Sequence, residues 1–210
     1  TFVDAVSGFV EHSGSVLIDG GDIGALPPHR RAAAGLSRTW QSVELFDGLT
    51  VRQQCEAAIH TGSRFPVLTD LLRLRRRTAS PAVDRALEMV GLTELADADP
   101  ATLPAGTQKL VGVARAVASS PSVLLLDEPA AGLSTDESKA LGGVLRRLAD
   151  TGIAMVLIEH DADLVFDTCD RVVVLDLGSV IVDGPPSVVR QDERVRQAYL
   201  GTSDPTDSAS

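Results

Sequence analysis

From Gly106 onward the chain alternates helices with short, unbroken apolar runs. That alternation constrains the fold more than any other feature. Val123–Leu126, Ala154–Ile158 and Val172–Leu175 are each of strand length and apolar throughout. A strand that is apolar on both faces must be covered on both faces, and helical crossovers between parallel strands supply that cover. The segments between the runs carry helix punctuation. A helix from Gly106 to Ser119 is stopped by Pro121, and Ser134-Thr135-Asp136-Glu137 reads as a capping box opening a helix to about Asp150. Leu164 to Cys169 is helical, and Gly178 turns the third run into a further strand, Val180–Val182.

The first half reads differently. Phe2, Val3, Val6 and Phe9 have helical spacing, and Gly8 and Gly14 bracket the helix end. Ser15–Ile18 is a short strand closed by Asp19-Gly20. Pro27-Pro28 opens a short basic helical turn through Ala34, and Ser37–Trp40 is extended with Gln41 at its end. Thr50 caps a helix from Val51 to about His60. Ser80 stands at an N-cap with Pro81 at the first helical position and Gly91 where a C-terminal glycine belongs. Thr50 to about Leu103 shows helical periodicity only. The expected architecture is therefore an α/β core with a parallel sheet and an inserted α-helical subdomain. Its expected divisions are residues 1–49 (core), 50–105 (helical subdomain), 106–200 (a helix on the subdomain side, then core) and a disordered tail, 201–210.

Composition excludes several classes. Hydrophobic residues make up 44%, enough for a real core. The 19 basic against 29 acidic residues give a net charge of −10, which disfavours sequence-independent binding to nucleic acid or anionic lipid. No apolar run reaches bilayer-spanning length, and no secretory signal segment is read. Cys55 and Cys169 lie far apart and read as two free thiols in a reducing compartment. The arginines of Arg73–Arg77 read as a solvated helix face. The chain opens at Thr1 in what already reads as a helix interior, so a preceding segment is expected.

The chemistry concentrates in Val123-Leu-Leu-Leu-Asp127-Glu128-Pro129. Apolar residues followed by an acid at a strand's C-terminal end put that acid at the mouth of the sheet. An Asp there can hold Mg²⁺, and a second acid beside it can polarise an attacking water. Asp-Glu-Pro followed by Ala-Ala-Gly-Leu-Ser is a narrow pattern, and it resembles the Walker B motif and D-loop of ABC transporter ATPases. The resemblance implies that Asp127 coordinates Mg²⁺, that Glu128 is the catalytic Glu, and that Ser134 lies in the D-loop. The family more often has Asp or Asn at that last position. Leu103-Pro104-Ala105-Gly106-Thr107-Gln108 occupies the place of the family's LSGGQ signature, with Pro and Ala replacing Ser and the first Gly. Ala105, Gly106, Thr107 and Gln108 are then nucleotide contacts at a helix N-terminus, where backbone N–H groups face phosphate. Gln41 resembles the Q-loop Gln, with a role at both metal and attacking water, and His160 the switch His at the γ-phosphate. RTWQ, LPAGTQ, DEPAAGL, IEHD and the ending AYLG together resemble the ATPases of branched-chain amino-acid importers.

The resemblance implies an ABC ATPase core with a P-loop NTPase-like sheet, incomplete here, binding ATP and Mg²⁺. It implies a second ATPase subunit in a head-to-tail dimer, transmembrane permease partners, and a peripheral place on the cytoplasmic face of the plasma membrane. The sequence contains no GxxxxGK[ST] phosphate loop. Thr1 aligns with the second hydroxyl residue after that motif's Lys. The strand leading into such a loop is expected to lie centrally, beside the strand that ends in Asp127. A non-hydrolysing module that docks on a permease is the alternative reading. A soluble ABC ATPase of the DNA-repair or translation type is a third; the long coiled-coil arms or tandem cassettes usual there are not seen in this sequence.

Overall fold

The computed structural model describes residues 2–40, 44–59 and 80–196. Thr1, Gln41, His60, Arg73–Arg77 and the tail, each given an expectation above, lie outside the described residues. The chain divides into two compact units, Thr1–Ile158 and Glu159–Ser210.

The first unit opens with α1 (Phe2–Ser7), the hairpin β1 (Leu17–Ile18) and β2 (Gly21–Asp22), and α2 (Pro28–Ala33). It continues through β3 (Leu36–Arg38), α3 (Val51–Ile59), α4 (Pro81–Val90) and α5 (Ala105–Ala118). It closes with β4 (Val123–Asp127), α6 (Thr135–Asp150) and β5 (Ala154–Ile158). The central sheet is parallel, in the order β3-β4-β5. Leu36 stands opposite Val123, and Asp127 opposite Ile158.

The expected placement of a further strand beside β4 is overturned. Both edges of β4 are taken, one by β3 and the other by β5. Burial follows from that pairing. Leu124, Leu125 and Leu126 are buried to within 1%. Among the described residues the two outer edges of the sheet belong to β3 and β5, and along β5 Ala154 and Val156 are exposed. The reading of Ala154–Ile158 as a fully buried strand is corrected accordingly.

Local punctuation works as expected at most helix ends. Ser134 and Glu137 form the capping box of α6, and Gly91 takes the left-handed conformation after α4. Ser80 stands at the N-cap of α4, but its side chain makes no capping bond. Thr50 adds a reciprocal pair with Gln53 that opens α3: its backbone N–H donates to Gln53 Oε1, and its hydroxyl accepts from the Gln53 amide. The helices α3, α4 and α5 pack on one another through Val51, Val83, Leu87 and Val111, all buried. Cys55 sits fully buried among them, and burial pushes its thiol up to about 12, so it behaves as a small apolar residue.

A buried arginine fastens the opening segment. Arg31 is 3% exposed and donates from Nη1 to the Ala5 and Val6 carbonyls, at 2.8 and 2.7 Å. Its Nε donates to the Leu26 carbonyl and its Nη2 to that of Gly24. It thereby satisfies carbonyls at the C-terminal end of α1, where a cation also complements the helix dipole. Gly8 makes room for it. A Cβ there would stand 2.8 Å from Arg31 Nε, and Gly8 has φ +82°.

The second unit holds α7 (Ala162–Thr168), an antiparallel hairpin of β6 (Val172–Asp176) and β7 (Ser179–Gly184), and the short helices α8 (Pro186–Val189) and α9 (Glu193–Val195). The third apolar run therefore pairs antiparallel with its own successor and not within the parallel sheet. Val172, Val174, Val182, Val189 and Val195 form its core. Val173, Leu175 and Val180 face outward.

Candidate functional site

Asp127 is the last residue of β4, the middle strand of the parallel sheet, and its side chain is 26% exposed. Glu128 follows at φ +45°, a region sparsely used by residues with a side chain and typical of functional turns. Its backbone N–H donates to the Ile158 carbonyl at 2.9 Å, so the ladder to β5 continues one residue past Asp127. The chain then turns. Pro129 is buried, and the Ala131 amide returns to the Glu128 carbonyl. The two acids therefore stand at the C-terminal rim of the sheet, where ligands bind in open α/β folds.

Sequence reasoning assigned no role to the residue that dominates this rim. Arg38, the last residue of β3, places Nη1 2.9 Å from Asp4 Oδ1 and Nη2 3.9 Å from Asp127 Oδ2. Its guanidinium carbon lies 4.0 Å from the centre of the Trp40 ring and 5.7 Å from that of Phe9. Phe9 and Trp40 meet edge to face at 5.7 Å. Arg38 holds the Asp4 carboxyl below its usual range, chiefly through the side-chain hydrogen bond. Asp4 lies in the first turn of α1, so the rim acid and the start of α1 share one cation. The available signal was Arg38-Thr39-Trp40 on an extended segment feeding the same end of the sheet.

A second constellation joins the turn at Gly106 to the start of α6. Helix α5 begins at Ala105 with Pro104 as its N-cap, and Gln108 Nε2 donates back to the Leu103 carbonyl. Thr107 follows Gly106 in the same first turn. Glu137 reaches this turn from α6. Its carboxylate is held below the usual range by hydrogen bonds from the backbone and hydroxyl of Ser134, and also from the Gly106 backbone. A Cβ on Gly106 would stand 3.0 Å from Glu137 Oε1, so a larger residue there would crowd the carboxylate. The Ser134 hydroxyl donates to Glu137 Oε2 at 2.8 Å and is committed to the cap.

His160 belongs to the second unit, two residues after β5 in the chain. Its side chain is 72% exposed, with Nδ1 3.9 Å from Glu159 Oε2.

Residues 1–131 match the ABC transporter family, and residues 179–205 match the branched-chain amino acid ATP-binding cassette transporter family. The chain belongs to the ABC transporter ATPases. It is 37% identical to the high-affinity branched-chain amino acid transport ATP-binding protein BraF of Pseudomonas aeruginosa, over 96% of this chain and 82% of that protein. It is 35% identical to LivG of Escherichia coli K12, with the same coverage. It is also 30% identical to the lipopolysaccharide export ATP-binding protein LptB of Haemophilus influenzae, over 96% of this chain and 80% of that protein. Among solved structures, the ATP-binding cassette MJ1267 superposes with a TM-score of 0.80 at 24% identity, covering 96% of this chain and 83% of that chain. That likeness shows the fold. CbiO1 of Clostridium perfringens, part of the cbiONQ transporter complex, superposes at 0.70 with 27% identity, covering 95% of this chain and 77% of its own.

An ABC ATPase binds nucleotide, and the rim suits the accompanying cation. No group of three or more His, Cys, Asp or Glu side chains gathers at metal distance among the described residues. Mg²⁺ in nucleotide sites needs no such cage, because one or two carboxylates and phosphate oxygens suffice. Asp127 offers one partly exposed carboxylate whose nearest cation stands at 3.9 Å, too long for a hydrogen bond, so the carboxylate remains available. Among the described residues no helix is long and apolar enough to cross a membrane.

Proposed function

We propose that the chain supplies the ATP-hydrolysing subunit of an importer for branched-chain or related amino acids. The observation that carries this reading is the Asp127–Glu128 pair at the rim of the middle strand. Asp127 is linked there through Arg38 to the first turn of α1. In a loaded site Asp127 would hold Mg²⁺, which supplies charge neutralisation at the transferring phosphoryl. Glu128 orients and polarises the attacking water, and its φ of +45° turns its side chain away from the strand's regular alternation. Gln41 is assigned to the metal and the attacking water, and His160 to the γ-phosphate. Ala105, Gly106, Thr107, Gln108 and Ser134 serve the site of a second, head-to-tail subunit. Thr1 takes the position of the second hydroxyl residue after a phosphate-loop Lys, beside the nucleotide. The helical subdomain docks on membrane-embedded permease subunits, which holds the protein at the cytoplasmic face.

Glu128→Gln in the full-length chain tests the reading. Turnover falls at least about a hundredfold while nucleotide binding survives. Unchanged turnover removes Glu128 from its role.

Residues 1–210 contain no GxxxxGK[ST] pattern, and taken alone they are expected neither to bind ATP tightly nor to hydrolyse it. About four charge-assisted hydrogen bonds at roughly 1.5–3 kcal/mol each, on the order of 6–12 kcal/mol, are missing from ATP binding. That is about four to eight decades of affinity. Calorimetry of this chain with ATP is expected to show no micromolar binding. The LptB relatives leave export as the second reading, and amino-acid uptake by vesicles carrying the full complex separates the two.

A further inference from the structure

Arg38 is placed unusually for a residue that only packs. Its side chain is 11% exposed, and three different partners share one guanidinium. Asp4 takes Nη1 in a close ion pair, the Trp40 ring lies against the plane, and Nη2 faces Asp127 across 3.9 Å. The buried Nε has no hydrogen-bond partner among the described residues. A buried donor left unpaired is a cost, and here the group keeps a geometry fixed by its other contacts. Only a planar cation can stack and pair in two directions at once, so lysine is not equivalent here. The partly buried setting also screens the Asp127 contact less than an exposed pair would be screened.

We propose that Arg38 is a positioning residue for Asp127: anchored by Asp4 and the Trp40 ring, it holds the rim carboxylate in place and ties that placement to the segment carrying Trp40. The functional weight of this role rests on the reading of Asp127 as the Mg²⁺ carboxylate. Asp127 is held by charge and not by a hydrogen bond, so it keeps its lone pairs for an incoming cation. Any shift of the carboxylate is transmitted through the guanidinium to the aromatic ring.

Trp40 is the chain's only tryptophan, so its emission reports directly on the stack. In this chain Asp127→Asn is expected to change Trp40 emission. In the Arg38→Met background the same substitution adds no further change. An Asp127→Asn effect that is absent in the parent, or that persists undiminished without Arg38, overturns the proposal. Arg38→Lys keeps the charge for Asp4 and guards against loss of folding, which far-UV circular dichroism monitors. Its emission moves toward that of Arg38→Met because the stack is lost.

In the full-length transporter, Arg38→Met raises the Mg²⁺ concentration for half-maximal turnover about tenfold while KM for ATP stays within about twofold, and Arg38→Lys falls between. An unchanged Mg²⁺ requirement overturns the role. If Asp127→Asn itself keeps Mg²⁺-dependent turnover, the reading of Asp127 fails, and the functional role of Arg38 fails with it. If Asp127→Asn is inactive but the emission coupling is missing, only the Arg38 proposal fails.

Discussion

The strands β4 and β5 are nearly interchangeable as strings of letters, yet they live in different surroundings. VLLLD has a strand on each edge, and its three leucines are essentially excluded from water. AMVLI is paired on one edge among the described residues, and Val156 keeps 38% of its surface exposed. An apolar run therefore signals a strand's capacity for burial, whereas the number and position of its neighbours set how much of that capacity is used. The hairpin of the second unit makes the same point. Val172 and Val174 are covered while Val173 and Leu175 between them face outward. A run of four apolar residues there behaves as an alternating strand.

The largest test of this contrast is a pair of truncations. Leu126→Ala should cost about 2–5 kcal/mol in urea unfolding, because the site is sealed and collapses poorly. Val156→Ala should cost less than about 1 kcal/mol, since little area leaves water at that position. Equal losses would mean that β5 is as enclosed as β4.

Arg31 extends the contrast to polar groups. Arg31→Met strips the donors from the Ala5, Val6 and Leu26 carbonyls in a buried place, and should cost about 1–3 kcal/mol. A neutral result would show that water reaches the end of α1, so that this region is as open as the β5 edge.

The smallest effect belongs to Glu137, whose carboxylate joins two helix starts at the surface. Its folded pKa is depressed by Ser134 and Gly106. The stabilisation is therefore complete above the unfolded carboxylate range and disappears as pH falls through the folded value. Glu137→Gln should lower Tm slightly at neutral pH and flatten the acid limb of the Tm–pH curve between these two values. A curve that stays parallel to the parent's would remove the carboxylate from the link.

Much of the candidate site was legible along the chain because its parts are local. A capping box needs four consecutive residues, and Ser134–Glu137 forms one. A rim acid needs an apolar strand before it and a turn after it, and Asp127–Glu128–Pro129 supplies both. Gly91 ends α4 because its backbone alone tolerates the left-handed turn at little cost. These features depend on nearest-neighbour sterics and hydrogen bonding, which sequence spacing records directly.

Relations between distant segments were not legible. Arg38 meets Asp4 and Asp127 across separations that no local rule encodes, and Glu137 finds Gly106 only because α6 packs near the start of α5. The placement of a further strand beside β4 was misjudged for the same reason. Strand composition states what a strand can bury, but strand order follows from which crossovers pack, and that is settled by the free energy of the whole core. The residue order was sufficient for the elements, their caps and the acidic rim. Which cation faces that rim, and which strands flank the one that carries it, was settled by packing, because charge pairing and burial act through space and not along the chain.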